Sequence, residues 1–292
     1  MGKIVLYICV IVLSLTSFNH IQSENSKKSK MVNNIHFESG YSNVNGISMY
    51  YEIHGQGQPL VLIHGGGSTL TTSFGRILPM LAENYKVVAV ELQAHGHTSD
   101  RNPPESFEQD ADDVATLLKN LKIEKASFFG FSNGGNTAMQ IANRHSEMVQ
   151  KLILASTFYK REGLLPGFFE SMQHATIDVM PQSLKDAYLK INPDSAGLLN
   201  MFNKDRNRML HFADWKDETL SSIKAPTLII NGDQDVIVSS HAVAMSKLIK
   251  GSRLMILPAA HGSYIGAAES PNSGKETIDM TVTIIKKFLD GK

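Results

Sequence analysis

The hexapeptide Gly130-Phe131-Ser132-Asn133-Gly134-Gly135 is where this sequence places residue types that could do chemistry. It directly follows the apolar run Ala126 to Phe129 and directly precedes the helical stretch Asn136 to Ala142. A serine at a sharp strand-to-helix bend is forced into a strained backbone conformation, so the residues two places either side must be glycine to avoid clashes. The bend lifts the hydroxyl outward, and the first amides of the new helix face any oxyanion formed beside it. Such a turn offers nucleophilic attack by Ser132, provided a base removes the hydroxyl proton. GxSxG arises often by chance; the strand before it, the helix after it and the further glycine, Gly135, give it weight here.

Positioning that serine takes a sheet of short buried strands. Brief apolar runs bounded by turn residues recur at Pro59 to Ile63, Lys86 to Val90, Ala126 to Phe129, Lys151 to Ala155, Thr227 to Ile230 and Arg253 to Leu257. Amphipathic stretches of helical period alternate with them, which predicts an α/β fold with a mostly parallel sheet flanked by helices. Asn45-Gly46 predicts the turn of an opening hairpin, with Ile47 to Ile53 as its second arm. A helix is expected from near Ser106 through Leu118, because Val114, Leu117, Leu118 and Leu121 recur at helical spacing. Its acidic start, with Glu108, Asp110, Asp112 and Asp113, suits the helix dipole. From Thr157 to Ile223 the alternation stops, and a helical cap is expected before the next strand. Phe168, Phe169, Met172, Met180, Tyr188, Met201, Phe202, Met209, Phe212 and Trp215 supply more apolar surface than a connector needs. Most should form the cap's own core; those facing the opening would make a methionine-rich wall that adapts to bulky apolar ligands.

With these elements in place, the sequence from about Ile35 to Leu289 resembles the α/β-hydrolase superfamily, in its capped serine esterase and lactonase branch. The resemblance implies a chain order of serine, acid, histidine. The acid is implied after the strand that follows the cap, where Thr227 to Ile230 leads into Asn231-Gly232-Asp233-Gln234-Asp235. The family's acid lies three residues past the glycine, which selects Asp235 over Asp233, a residue that a turn would use in any case. The histidine is implied just after the last strand, in Pro258-Ala259-Ala260-His261-Gly262. His261 would take the proton of Ser132 and return it to the leaving alkoxide, while Asp235 holds the imidazole tautomer. Since the free base is required, kcat/KM should rise with pH through an apparent pKa of about 6 to 7. The oxyanion hole would draw one amide from Asn133 and the second from His64-Gly65-Gly66-Gly67, which resembles the family's HG motif. Gly66 is the expected donor, with Gly67 as the competing neighbour and His64 ordering the loop. Glu91 to Asp100 resembles the family's DxxGxGxS segment, with glutamate for aspartate and Ala94 for the first glycine.

Lysine plus arginine equals aspartate plus glutamate, 28 each, so no basic footprint exists for nucleic acid or an anionic membrane. With 42% hydrophobic and 19% charged residues, the 292-residue chain has the balance of one soluble globular domain. Lys3 followed by the apolar run Ile4 to Leu15 reads as a signal peptide cleaved after Ser23, being shorter than a span of ~20 residues. A secreted or periplasmic location follows, with an uncleaved anchor as the alternative. Cys9 is the sole cysteine and lies inside that run, so the mature chain would carry no thiol. Glu24 to Asn34 reads as a solvated linker.

Other readings weigh less. His95, His97 and Asp100 resemble a zinc site, but the spacing fails by one residue and the terminal histidine is missing, so no metal or other cofactor is expected. His54, His145 and His241 fall where solvated histidine is the default. Ser132 excludes dehalogenases and epoxide hydrolases, which need aspartate at that place, and the GGSWG elbow of proline-type aminopeptidases is absent. A serine-dependent C–C bond hydrolase and a non-catalytic receptor on the same fold stay open. The expected substrate is a bulky hydrophobic ester or lactone, one candidate being a macrolide-type macrocyclic lactone opened as antibiotic detoxification.

Overall fold

The computed structural model describes residues 28–32, 35–270 and 274–291. The expected signal peptide, with Cys9, lies outside the described residues. The strands are β1 (Lys28–Val32), β2 (Ile35–Val44), β3 (Ile47–His54), β4 (Gln58–Ile63), β5 (Tyr85–Val90), β6 (Ala126–Phe131), β7 (Val149–Ala155), β8 (Thr227–Gln234) and β9 (Arg253–Ala260). The helices are α1 (Leu70–Phe74), α2 (Leu78–Ala82), α3 (Phe107–Asn120), α4 (Asn133–Arg144), α5 (Phe168–His174), α6 (Gln182–Ile191), α7 (Ser195–Leu210), α8 (Asp217–Ser221), α9 (Ser239–Leu248) and α10 (Lys275–Asp290).

The strands form one nine-stranded sheet in the order β1-β2-β3-β5-β4-β6-β7-β8-β9. Pairings from β5 through β4 to β9 are parallel, and those joining β1, β2, β3 and β5 are antiparallel. Because successive strand residues point to opposite faces, the apolar runs feed two cores. Val61, Ile63, Val88 and Phe128 pack with Val114 and Leu117 of α3 and with Met139 and Ile141 of α4. On the other face Leu60, Leu62, Ala89 and Phe129 pack with Phe74 and Leu81 and with Val282 of α10. The hairpin turn sits at Asn45-Gly46, where φ is 42° and 91°, the two positive values a two-residue type I′ turn requires. Ser106 caps α3 by accepting the Gln109 amide at 3.1 Å.

Four expectations need correction. Lys28–Val32, read as linker, pairs antiparallel with β2, which closes a backbone edge that β2 would otherwise leave open. Asn231 to Gln234, read as a turn, continues β8 with a register slip between Gly232 and Gln234. A Cβ on Gly232 would lie 2.0 Å from the Ala259 carbonyl oxygen, so only glycine lets β9 approach there, and the chain bends away at Asp235 instead. His54 is not solvated: it is buried, stacked on Phe37 and bonded to Glu52 at 2.8 Å. His241 is also buried, and its Nε2 accepts the Tyr159 amide at 3.2 Å. His145 is half-buried, with Asp112 at 2.7 Å.

Between β7 and β8 the helices α5, α6 and α7 build two small apolar clusters against the body, one joining Phe169, Met209 and Phe212 to Phe107 and Ile237 and one joining Leu184, Tyr188 and Met201 to Ala94. Leu220 and Ile223, at the end of this insertion, already belong to the core under the sheet.

Candidate active site

Ser132 stands between β6 and α4 at φ 53° and ψ −124°. A Cβ on Gly130 would lie 2.1 Å from the Gly134 carbonyl oxygen, so the glycines around the serine are what allow this tight bend. The Ser132 hydroxyl lies 3.2 Å from His261 Nε2, and His261 Nδ1 lies 2.7 Å from Asp235 Oδ1. With Nδ1–H donating to the carboxylate, Nε2 is left bare toward the serine hydroxyl. Asp235 is buried, and its Oδ1 also accepts the Ile237 amide at 3.0 Å. Asp233 is exposed and accepts the Ala259 amide at 3.0 Å, tying β8 to β9 rather than facing His261.

Burial alone would push the His261 pKa down, but the hydrogen bond and charge of Asp235 outweigh it and hold the imidazole above its ordinary value. Burial would likewise raise Asp235; the bond and charge of His261, with the Ser156 hydroxyl and the Ile237 amide, keep it below the usual carboxylate range. Two of these supports were not anticipated from the sequence. Ser156 Oγ donates to Asp235 Oδ2 at 2.5 Å, and the Tyr264 hydroxyl, wholly buried, lies 2.6 Å from Ser156 Oγ. Their only sequence signal is position: each follows the end of a strand, Ser156 just after β7 and Tyr264 shortly after β9.

The loop after β4 is held from within and from the insertion above it. His64 donates from Nδ1 to the Gly65 carbonyl at 2.8 Å and accepts the Leu92 amide on Nε2 at 3.0 Å, which defines a neutral ring. Burial, reinforced by the nearby charge of His95, pushes its pKa down to about 3. The Gly67 amide donates to Asp205 of α7 at 2.6 Å, so of the two competing donors it is the one already engaged. Gly66 and Asn133 both line the cavity beside Ser132, and the Asn133 amide opens α4, where amides have no intrahelical acceptor.

His95 and His97 turn to different carboxylates, Asp205 at 3.0 Å and Glu91 at 2.9 Å, and Asp100 bonds Gln93, Asn200 and Lys204. No group of three or more candidate metal ligands occurs among the described residues. Ala94, in the place of the family's glycine, adopts φ 63°.

Above Ser132 and His261 opens a cavity of about 460 Å³. Of the apolar insertion residues singled out from the sequence, Phe168, Met172, Met180, Phe202 and Met209 line it, while Phe169, Tyr188, Met201 and Phe212 are buried away from it. Phe158, Leu164, Val236 and Ile237 complete an apolar wall.

A family profile described as the alpha/beta hydrolase fold matches residues 58–188. The chain belongs to the α/β-hydrolase superfamily. Among curated relatives of this α/β-hydrolase, the serine hydrolase BPHL of Homo sapiens is 29% identical over 252 residues, covering 78% of this chain and 82% of its own. The AB hydrolase superfamily protein YisY of Bacillus subtilis is also 29% identical over 252 residues, covering 78% and 93%. Among solved structures, an enol-lactonase from Burkholderia xenovorans superposes with a TM-score of 0.68 at 23% identity, over 86% of this chain and 99% of that one. A meta-cleavage product hydrolase from Pseudomonas fluorescens reaches 0.69 at 23% identity, over 86% and 97%. At this identity the two structures share the fold with the present α/β-hydrolase.

Proposed function

We propose that this α/β-hydrolase is a serine-dependent hydrolase of carboxylic esters or lactones whose substrates are bulky and apolar. The observation that carries the reading is the unbroken line from the Ser132 hydroxyl through His261 to Asp235, opening into an apolar cavity. Ser132 attacks the ester carbon while His261 Nε2 takes its proton, and the carbonyl oxygen becomes an oxyanion bound by the amides of Gly66 and Asn133. Each such donor is worth roughly 100- to 1000-fold in rate. The imidazolium, stabilised by Asp235, gives its proton to the leaving alkoxide. Water then attacks the acyl-enzyme by the same route in reverse, freeing the acid and restoring Ser132.

The wall of Phe168, Met172, Met180, Phe202 and Met209 supports an apolar substrate, and about 460 Å³ falls within the range of small-molecule pockets. A macrolide-type lactone is the largest candidate, and export by the N-terminal segment would bring the enzyme to such compounds outside the cell. The test is a panel of acyl esters, simple lactones, macrolides and a vinylogous 1,5-diketone, incubated with wild type and Ser132→Ala. Mass spectrometry should record addition of water with wild type only. Hydrolysis retained by Ser132→Ala would remove the nucleophile assignment. Cleavage of the diketone alone would select the C–C hydrolase, and binding without turnover would select a receptor.

A further inference from the structure

Asp205 is the only acid among the cavity-lining residues, and it comes from the insertion rather than from the sheet. Its oxygens are already engaged. Oδ2 accepts the Gly67 amide at 2.6 Å and the Nε2 proton of His95 at 3.0 Å, while Oδ1 is bonded by the Arg208 guanidinium. The partners of His95 fix its charge: Nδ1 lies 2.7 Å from the Gln93 carbonyl, an acceptor, so both ring nitrogens must carry protons. Burial opposes that charge, but Asp205, aided by Glu105, overcomes it and pushes the His95 pKa up to about 9. Arg208 is anchored in turn by Asp110 at 2.7 Å. Glu105, 3.7 Å from Arg208, is pushed up to about 8 by burial, against the pull of the Arg208 charge.

The loop this cluster touches is three consecutive glycines, the backbone most costly to hold in one conformation. At Gly65 the restraints come from the body: His64 Nδ1 on its carbonyl and Ser73 Oγ on its amide at 3.3 Å. At Gly67, where φ is 65°, the side-chain restraint comes from Asp205. Gly66 sits between the two sides: a Cβ there would lie 2.5 Å from Asn133 Nδ2 and 3.2 Å from Asp205 Oδ2.

We propose that Asp205 is a positioning residue for the oxyanion hole: by holding the Gly67 amide it sets the neighbouring Gly66 amide beside Ser132, so the hole is complete only while α7 is seated on the body. This inference rests on the serine-hydrolase reading above. It ties the rate of attack to the seating of the insertion, since the carboxylate that orders the loop leaves with α7. His95 and Arg208 serve by keeping Asp205 charged and aimed.

The test measures covalent labelling of Ser132 by a fluorophosphonate, followed by intact mass, together with kcat and KM for a p-nitrophenyl ester. Asp205→Ala should slow labelling and lower kcat by roughly 30- to 100-fold, with KM within about 3-fold, because the lost interaction belongs to the transition state. Added formate, filling the vacated space, should restore part of the rate. Asp205→Asn has nearly the same size but can satisfy Gly67 or Arg208, not both, and should lose about 10-fold in kcat by the same reasoning. It decides the matter should the alanine variant not fold. Labelling and kcat at the wild-type level in a folded Asp205 variant would overturn the inference and leave the hydrolase reading standing. Wild type that resists labelling at Ser132 would overturn both.

Discussion

His261–Asp235 at 2.7 Å and His95–Asp205 at 3.0 Å are histidine–aspartate pairs of similar length. What separates them is the other ring nitrogen. In His261 it faces a serine hydroxyl, which can give up a proton, so the ring can cycle between base and acid. In His95 it faces the Gln93 carbonyl, which can only accept, so the ring is held as a cation and acts as a fixed counter-charge. His64, whose rings lie 4.8 Å from those of His95 by centroid, is neutral for the mirror reason: one nitrogen meets an amide donor. Protonation state here is set by the partner that the fold brings, not by residue type.

The sharpest way to break this distinction is to replace each histidine in turn. His261→Gln should lower kcat by about 10⁶-fold, the order of loss for a removed triad base. His95→Gln should lower kcat by about 10-fold, because it only loosens Asp205 and through it one oxyanion donor. Equal losses in steady-state kinetics would erase the difference.

A smaller effect sharpens the His261 side. Ser156→Ala removes one donor to Asp235 and leaves the buried Tyr264 hydroxyl without that partner. Loss of one such hydrogen bond, about 1 to 1.5 kcal/mol, should reduce kcat by roughly 5- to 10-fold with KM little changed. An unchanged kcat in a folded Ser156→Ala protein would mean that Asp235 needs no support from that side.

The smallest effects are in pH. His261 must be neutral to act, and Asp235 holds its pKa above the ordinary 6.5, so kcat/KM should rise with pH through a value higher than 6.5. A profile already flat below 6.5 would contradict the pairing. His95 contributes to stability instead of to the reaction's proton transfer. Its folded pKa of about 9 exceeds the unfolded 6.5, so its stabilisation is complete below 6.5 and lost as pH climbs through about 9. The Tm difference between wild type and His95→Gln, followed by calorimetry, should therefore shrink over that interval.

The alternation of apolar runs, the Asn45-Gly46 dipeptide and the helical spacing beyond Ser106 were enough, read along the chain, for the parallel sheet, the opening hairpin and the start of α3. Those features are local: a buried strand, a positive-φ turn and an amphipathic helix each depend on residues a few places apart. The same reading went astray at Asn231 to Gln234, because turn-forming residues can stay in a strand when a glycine admits a neighbouring backbone. It misjudged His54 and His241, which are covered by the rings of Phe37 on β2 and of Tyr159 in the loop after β7.

Residue types and order alone determined that this chain would build an α/β sheet and would present Ser132 on a glycine-flanked bend. Only the tertiary structure decided that Ser156 and Tyr264 would stand behind Asp235, and that Asp205 would reach a glycine 138 positions away. The physical reason is distance along the chain. A hydrogen bond carries no trace in the local pattern when its partners come from separate elements, and the charge of a buried side chain is settled by those partners.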